Sequence, residues 1–525
     1  MQKAVSNTGL AREFKSVFEL GGVPSFQQFY NFGIFIWKWL WKGFYKPWHV
    51  IPCPTIADPN ATRNVYRLDM AKAICAEMAG LVWGEECSVN VSAEGVEDGQ
   101  EDLLNAFVQN VLEKNAFHQK MQENIEEGLA LGGAALKTWA EAKHDDNGNE
   151  IPESRKVMIG YAMADQFIPI SWDNARVTEG VFVSRIAKGG YYYTRLEWHK
   201  WNGTTYVITN ELYRSEIETG KAPGETQDIL GVRYPLSEIY PYLDEETTVP
   251  VEESLFCYWR TPIANNLDDN SPLGMSIYGN SLDNLRALDI CYDSFVREFR
   301  LGKKRIIVPA RAVRMVVDPQ TGKTCRYFDA NDETYEALAS DTPEDLKIQD
   351  NSVELRVEEH IAAINAFLSI LCLQTGFSAG TFTFDQHTGL KTATEVVSEN
   401  SKTFKTIRTI QNQLKPAIEH LVKNIIDVAV LYDLDYEGKK ISALVAKGYE
   451  VKITFDDGVT QDRQTNVNEG VVLVGAGILS KFTFLTDPKY GIGLTEEEAK
   501  QELERIKAEG AGTINDSLSL FGLGG

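Results

Sequence analysis

The stretch Gly376-Phe377-Ser378-Ala379-Gly380-Thr381-Phe382-Thr383-Phe384, with the run that follows it to Leu434, decides the fold. Its first nine residues are punctuated by glycine and have no helical period. From about Leu390 onward, apolar residues recur at Val397, Phe404, Ile407, Leu414, Ile418, Leu421, Ile425 and Val428, as one face of a helix requires. A helix of ~40 residues is roughly 60 Å long at about 1.5 Å per residue, more than a small domain needs. Pro416 removes one backbone donor inside the run, which predicts a kink just before it. A loop joined to a long, kinked helix suits mechanical work better than small-molecule chemistry.

Outward from this stretch the chain is helical on its N-terminal side. Ile361, Ile364, Phe367, Leu368 and Leu371 mark a helix ended by Gly376, and Leu282, Leu285, Leu288, Tyr292, Phe295 and Phe299 mark another from about Met275 to Leu301. Between them the chain turns basic: nine Lys or Arg against two acids, Glu298 and Asp318, from Arg297 to Arg326. Strands are expected there at 305–308, 313–317 and 325–328. Residues 155–260 read as β-rich, with the clearest hairpin at 191–200 and 204–214 around Trp201-Asn202-Gly203. Further upstream, Leu68, Ala71, Ile74, Cys75, Met78, Ala79 and Val82 make an amphipathic helix, followed by a short strand at 88–91 and two helices over 101–128. Downstream, 451–455 reads as a strand, 467–474 as an apolar helix or strand, and Thr495-Glu496-Glu497-Glu498 as the capping box of a last helix reaching about Ala508. Residues 1–30 and 509–525 are expected to be flexible.

A chain of 525 residues has room for two to four domains. Its net charge of -23 argues against a nucleic-acid coat, which would be basic, but not against a protein that handles DNA without gripping it. Seven scattered cysteines without a CxxC read as free thiols in a reducing compartment. The most hydrophobic stretch, Phe32 to Trp41, is about half the ~20 residues a bilayer span needs. With Trp37, Leu40, Trp41 and Phe44 on one face it reads as a buried aromatic helix or subunit contact, ahead of an interfacial membrane helix. No membrane partner is expected.

The search for chemistry comes back empty. Gly322-Lys323-Thr324 lacks the earlier glycine of a phosphate-binding loop and is followed by strand residues, so a hairpin turn is the better reading. Gly475-Ala476-Gly477 lacks the third glycine of a dinucleotide fingerprint. Asp145-Asp146-Asn147-Gly148 lacks calcium-loop spacing and reads as a polar turn. The seven histidines show no paired ligand spacing, and His49 reads as a packed or capping residue. No catalytic, cofactor-binding or metal residues are assigned and no cofactor is expected.

The order of parts resembles the portal proteins of tailed bacteriophages, in particular the siphovirus-type portals of phages infecting Gram-positive bacteria. The similar blocks are Tyr45-Lys46-Pro47-Trp48-His49, the helix ending Ala79-Gly80-Leu81-Val82-Trp83-Gly84-Glu85, Ser271-Pro272-Leu273-Gly274, Gly389-Leu390-Lys391-Thr392-Ala393-Thr394-Glu395-Val396 and Leu494-Thr495-Glu496-Glu497-Glu498-Ala499. The resemblance spans roughly residues 30–508. It implies an α+β, ring-forming portal fold: wing 31–265, stem helices 266–301 and 357–376 flanking a clip at 302–356, tunnel loop 377–391, long kinked channel and wing helix 392–439, and crown 440–508.

It also implies a non-enzymatic, dodecameric ring at one capsid vertex, assembled in the host cytoplasm. Double-stranded DNA would pass through it during packaging and ejection. The implied partners are further copies of the chain, the large terminase subunit, a head-completion or adaptor protein, and the major capsid and scaffolding proteins. On this scheme Thr381, Phe382, Thr383, Phe384, His387, Thr388 and Lys391 would face DNA from the tunnel loop, with Phe382 and Phe384 equally suited to packing between subunits. Lys303, Lys304, Arg305, Arg311 and Arg314 would contact DNA or an acidic partner from the clip, unless they are solvated strand edges. Pro416 would bend the helix from channel wall to wing. The rival readings are an acidic polysaccharide-acting hydrolase with its cleft in the β-rich part, and another structural head–tail connector.

Overall fold

The computed structural model describes residues 27–54, 58–93, 102–145, 147–174, 176–217, 230–268, 271–302, 305–307, 315–317, 324–326, 349–351, 354–383, 400–455, 470–487, 491, 494 and 498–506. The N-terminal half alternates helices with short strands. Helix α1 (Gln27–Trp41) leads to the antiparallel pair β1 (Val50–Pro52) and β2 (Thr62–Asn64). Helix α2 (Met70–Val82) buries Ala71, Ile74, Cys75, Met78, Ala79 and Val82, the three-and-four spacing that one face of a helix presents. After β3 (Ser88–Ala93), helix α3 (Leu103–Lys114) begins at Asp102, whose carboxylate accepts hydrogen bonds from the backbone amides of Leu104 and Asn105. That carboxylate satisfies two donors the first turn cannot pair internally. Helix α4 (Phe117–Leu131) stops at Gly132, which takes a positive φ of 97°.

The β-rich part follows in two layers. Strands β4 (Gly133–His144) and β5 (Glu150–Met163) form a hairpin whose turn is closed by Asp145, its carboxylate accepting from the amides of Asn147 and Asn149. The Asp145 stretch is therefore a polar turn. Strands β6 (Phe167–Asp173), β7 (Arg176–Lys188), β8 (Tyr191–Asn202), β9 (Thr205–Glu216) and β10 (Val232–Tyr234) run antiparallel in chain order, with β11 (Glu246–Val249) also on β9. The β8–β9 hairpin turns one residue later than the sequence suggests, because Asn202 still pairs with Thr205 and Gly203 supplies the positive φ of 65°. Strand β12 (Phe256–Arg260) returns to pair with β4.

Helix α5 spans Leu282–Leu301, seven residues shorter at its start than expected from periodicity. The segment before it is used otherwise. Leu273, Met275, Ile277 and Tyr278 are buried in the main core, and the Tyr278 hydroxyl donates to the Trp37 carbonyl at 2.7 Å. Strands β13 (Arg305–Ile307) and β16 (Gln349–Asn351) pair with each other, as do β14 (Met315–Val317) and β15 (Thr324–Arg326). Gly322-Lys323-Thr324 therefore leads into a hairpin strand rather than a helix. Helix α6 is Val357–Thr375.

Helix α7 (Ser401–Leu431) is the centre of the body. Ile407, Ile410, Leu414, Ile418, Leu421, Ile425 and Val428 are buried against β12, β4, α2 and β19 (Tyr449–Thr454). Full burial of a Leu or Ile side chain stabilises by about 1.5–3 kcal/mol, so this face outweighs any single polar contact in the molecule. The described helix begins at Ser401, the expected start near Leu390 lying outside the described residues, and it continues through Pro416 without a break. Pro416 and Asn412, whose carbonyl loses its partner at that position, are both exposed, so water can satisfy the freed group. After the short antiparallel pair β17 (Asp435–Tyr436) and β18 (Lys439–Lys440), strand β19 pairs over six residues with β3. Gly475-Ala476-Gly477 closes a helical turn at 470–475, with Gly477 at φ 72°.

A buried ionic cluster ties the six-stranded sheet to the body. Glu197 on β8 pairs with Lys137 on β4 at 2.5 Å and with Arg195 at 2.6 Å, and His199 meets it at 3.0 Å. Burial acts to raise the Glu197 pKa, but the Lys137 charge and the His199 and Arg195 contacts hold it well below the usual carboxylate range. Burial lowers the His199 pKa, so that ring is neutral at pH 7.

Candidate functional site

The site is built where α6, packed against α5, turns onto the start of α7. Helix α6 ends because Gly376 adopts φ 86°, and a Cβ there would lie 2.7 Å from the Thr406 hydroxyl. The turn that follows is pinned to the first turns of α7. The Ser378 amide donates to the Thr403 hydroxyl at 2.8 Å, Thr406 donates to the Gly376 carbonyl at 2.8 Å, and the Lys402 ammonium reaches the Leu373 carbonyl at 2.6 Å. Phe377 is fully buried, and the Phe382 ring packs on it edge-to-face at 5.1 Å.

Three of the seven expected tunnel-loop residues come together on this turn. Thr381 is exposed and donates to the Ser378 carbonyl at 2.8 Å, and Thr383 is exposed and reaches Asn365 of α6 at 3.4 Å. Phe382 is half-buried within its own chain, a use the sequence left between DNA and a neighbouring subunit. Phe384, His387, Thr388 and Lys391 lie outside the described residues. So do Lys303, Lys304, Arg311 and Arg314 of the basic set, while Arg305 opens β13 opposite Asn351.

Helices α5 and α6 lie side by side. Asn284 donates to the Phe367 carbonyl at 3.1 Å near one end, and Phe295 meets the His360 ring at 5.7 Å near the other. There Glu298 takes both a 3.2 Å and a 3.0 Å hydrogen bond from the Arg356 guanidinium, closing the base of the insertion between the helices. This bidentate bond holds the Glu298 carboxyl down to about 2. Both helices leave large apolar side chains open: Ile290 and Leu301 on α5 are 53% and 56% exposed, and Ile370 and Leu373 on α6 are 45% and 58% exposed. Helix α6 is long and apolar enough to cross a membrane by length and composition alone.

On its other side α5 is bolted to the N-terminal segment. Asp293 takes two hydrogen bonds from Arg63 and one from the Tyr66 amide. Asp289 accepts from the Leu68 amide and faces His49, whose other ring nitrogen accepts from the Tyr45 amide. His49 is thus a buried packing and capping residue, as its lone position suggested.

A family model for phage portal proteins, described as SPP1 Gp6-like, matches residues 44–516. The chain belongs to that portal family. Portal proteins of this type are structural and not enzymatic, which gives the chain a portal or head–tail structural role in the virion and sets the hydrolase reading aside. Among solved structures, a chain from the virion of a native gene transfer agent particle is similar over 79% of this chain and 88% of that one, at 9% identity and a TM-score of 0.32. No curated protein matches.

Within the portal, sequence reasoning passed over the outer face of α7. Lys402, Lys405, Arg408 and Lys415 stand between Glu399 and Glu419 with no acid among them. That local charge was legible, but the long apolar face drew the reading to packing. Beyond Glu419 the helix returns to paired charge. Glu253 sits between Arg176 at 2.5 Å and Lys423 at 3.1 Å, with His420 at 3.4 Å.

Proposed function

We propose that the chain is the portal subunit of a dodecameric ring at one capsid vertex. Double-stranded DNA would pass through the ring during packaging and ejection, and the large terminase subunit and head-completion proteins would dock on it. The family match over residues 44–516 carries this reading. The large apolar side chains left open on α5 and α6 support assembly, because exposed apolar surface of this kind is characteristic of a subunit contact. In a closed ring the contact is heterologous, one copy's α6 face meeting the next copy's α5 face.

On this reading residues 31–265 form the wing. Helices α5 and α6 form the stem, 302–356 the clip, 377–391 the tunnel loop, 392–439 the long channel and wing helix, and 440–508 the crown. Thr381 and Thr383, with His387, Thr388 and Lys391, supply weak polar contacts to a sliding duplex. Phe382 holds the loop's root against Phe377, and Phe384 packs between subunits. Lys303, Lys304, Arg305, Arg311 and Arg314, repeated around a ring, form a collar for DNA or for an acidic docking partner. Pro416 bends α7 from the channel wall toward the wing.

Negative-stain imaging and native mass spectrometry of the full chain test the ring. Rings of about a dozen copies with a central hole are expected for a closed heterologous assembly. A monodisperse monomer at high concentration and in a virion extract would overturn the reading.

A further inference from the structure

We propose that the exposed face of the first four turns of α7, centred on Lys405 and Arg408, binds the phosphate backbone of double-stranded DNA. The inference rests on the conduit reading above and goes beyond it by naming a contact surface outside the tunnel loop and the clip.

Four observations carry it. First, the chain has net charge -23, yet residues 400–418 hold Lys402, Lys405, Arg408 and Lys415 and no acid. A solvated helix face in an acidic protein ordinarily mixes signs at three-and-four spacing, as this same helix does beyond Glu419. Second, Lys405 and Arg408 are exposed and make no ion pair among the described residues. The row they belong to also presents Thr409, Asn412 and Gln413, uncharged groups that can hydrogen-bond a phosphate or a water with equal ease. From Lys402 to Lys415 the row is about 20 Å long, the rise of about six base pairs.

Third, the placement opposes the helix's own stability. The first turns of a helix carry partial positive charge and favour acids, whereas α7 has no acid in its first turn and places Lys402 and Lys405 in its first two. A local choice that works against the element it belongs to is characteristic of a functional surface. The same partial charge adds to the field that draws a phosphate. Fourth, the surface is rigid where it must be. It adjoins a groove of ≈ 380 Å³ lined by Lys402, Lys405, Thr406, Thr409, Gln374 and Ile263, and the hydrogen bonds of Ser378, Gly376 and Leu373 to α7 fix this wall to the tunnel turn.

The chemistry suits passage better than capture. Each phosphate contact is screened and reversible, and only a few per subunit are made, so the duplex is centred without being held. A protein ligand would instead require an acidic segment to dock along the same row.

The test is duplex binding by the full assembled chain, followed by fluorescence anisotropy with a short synthetic duplex over a range of salt. The comparison is between the parent, Lys405→Gln/Arg408→Gln, the charge-preserving Lys405→Arg/Arg408→Lys, and a distant control, Lys120→Gln. The slope of log K against log salt should fall by about one for each phosphate contact removed, equally for all duplex sequences. The charge-preserving pair and the control should keep the parent slope. No duplex binding by the parent at low salt, or an unchanged slope and affinity in the Gln pair, would overturn the proposal. Ring formation is read separately by native mass spectrometry. Absent rings in the parent refute the conduit reading, whereas rings with an unchanged slope refute only this surface. If the Gln pair fails to assemble, Arg408→Gln alone and Lys415→Gln are measured against the same criteria.

Discussion

The body around α7 and the helix pair α5–α6 solve opposite problems. In the body, apolar side chains are buried and the charges taken inside are matched within the chain, as Glu197 is by Lys137 and Arg195. The helix pair keeps Ile290, Leu301, Ile370 and Leu373 open while its polar groups make seams, Asp293 to Arg63 of the N-terminal segment and Glu298 to Arg356 between the two helices. One region is finished as a monomer. The other leaves large apolar side chains open, the surface that the proposed ring contact would cover.

The largest expected break in that contrast is Glu197→Ala. It leaves Lys137 and Arg195 facing each other in a buried site, and loss of one partner of a buried ion pair costs about 3–5 kcal/mol. Chemical denaturation followed by tryptophan fluorescence should show the loss. Next is Asp102→Ala, which removes the carboxylate serving Leu104, Asn105 and Ala93 and should cost about 1 kcal/mol in the same measurement.

Ile370→Ser with Leu373→Ser should lie within about 0.5 kcal/mol of the parent in monomer stability, as surface changes usually do. It should nevertheless reduce the fraction of rings seen by native mass spectrometry. A large loss of monomer stability with normal rings would show that this face is core rather than interface. The smallest effect is the pH response of the Glu298–Arg356 pair. The Glu298 carboxyl is depressed to about 2 in the folded chain, so its contribution is present above the unfolded carboxylate pKa and is lost as pH falls toward 2. Amide protection at residues 356–360, relative to the intrinsic exchange rate at each pH, should fall over that window, and Glu298→Gln should flatten the response.

Much of this was legible in the chain because it depends on short-range pattern. The helices of α2, α6 and α7, the β8–β9 hairpin and the stop at Gly376 follow from apolar period and from residues that tolerate positive φ. Expectations failed where distant segments competed for a residue. Met275 and Tyr278 fit the period of α5, yet they are drawn into the core beside Trp37, so the helix begins at Leu282. Phe382, equally suited by sequence to DNA or to a neighbouring subunit, packs on Phe377 within its own chain.

The sequence by itself determined the helical periods, the charge reversals and the order of parts that the portal family shares, since these are properties of neighbours along the chain. Only the tertiary structure decided that β19 closes onto β3, that Glu197 is neutralised across two sheets, and that Lys405 and Arg408 stand exposed on α7 with no ion pair among the described residues. Burial and pairing depend on groups separated by tens to hundreds of residues, and no local pattern encodes which of them will meet.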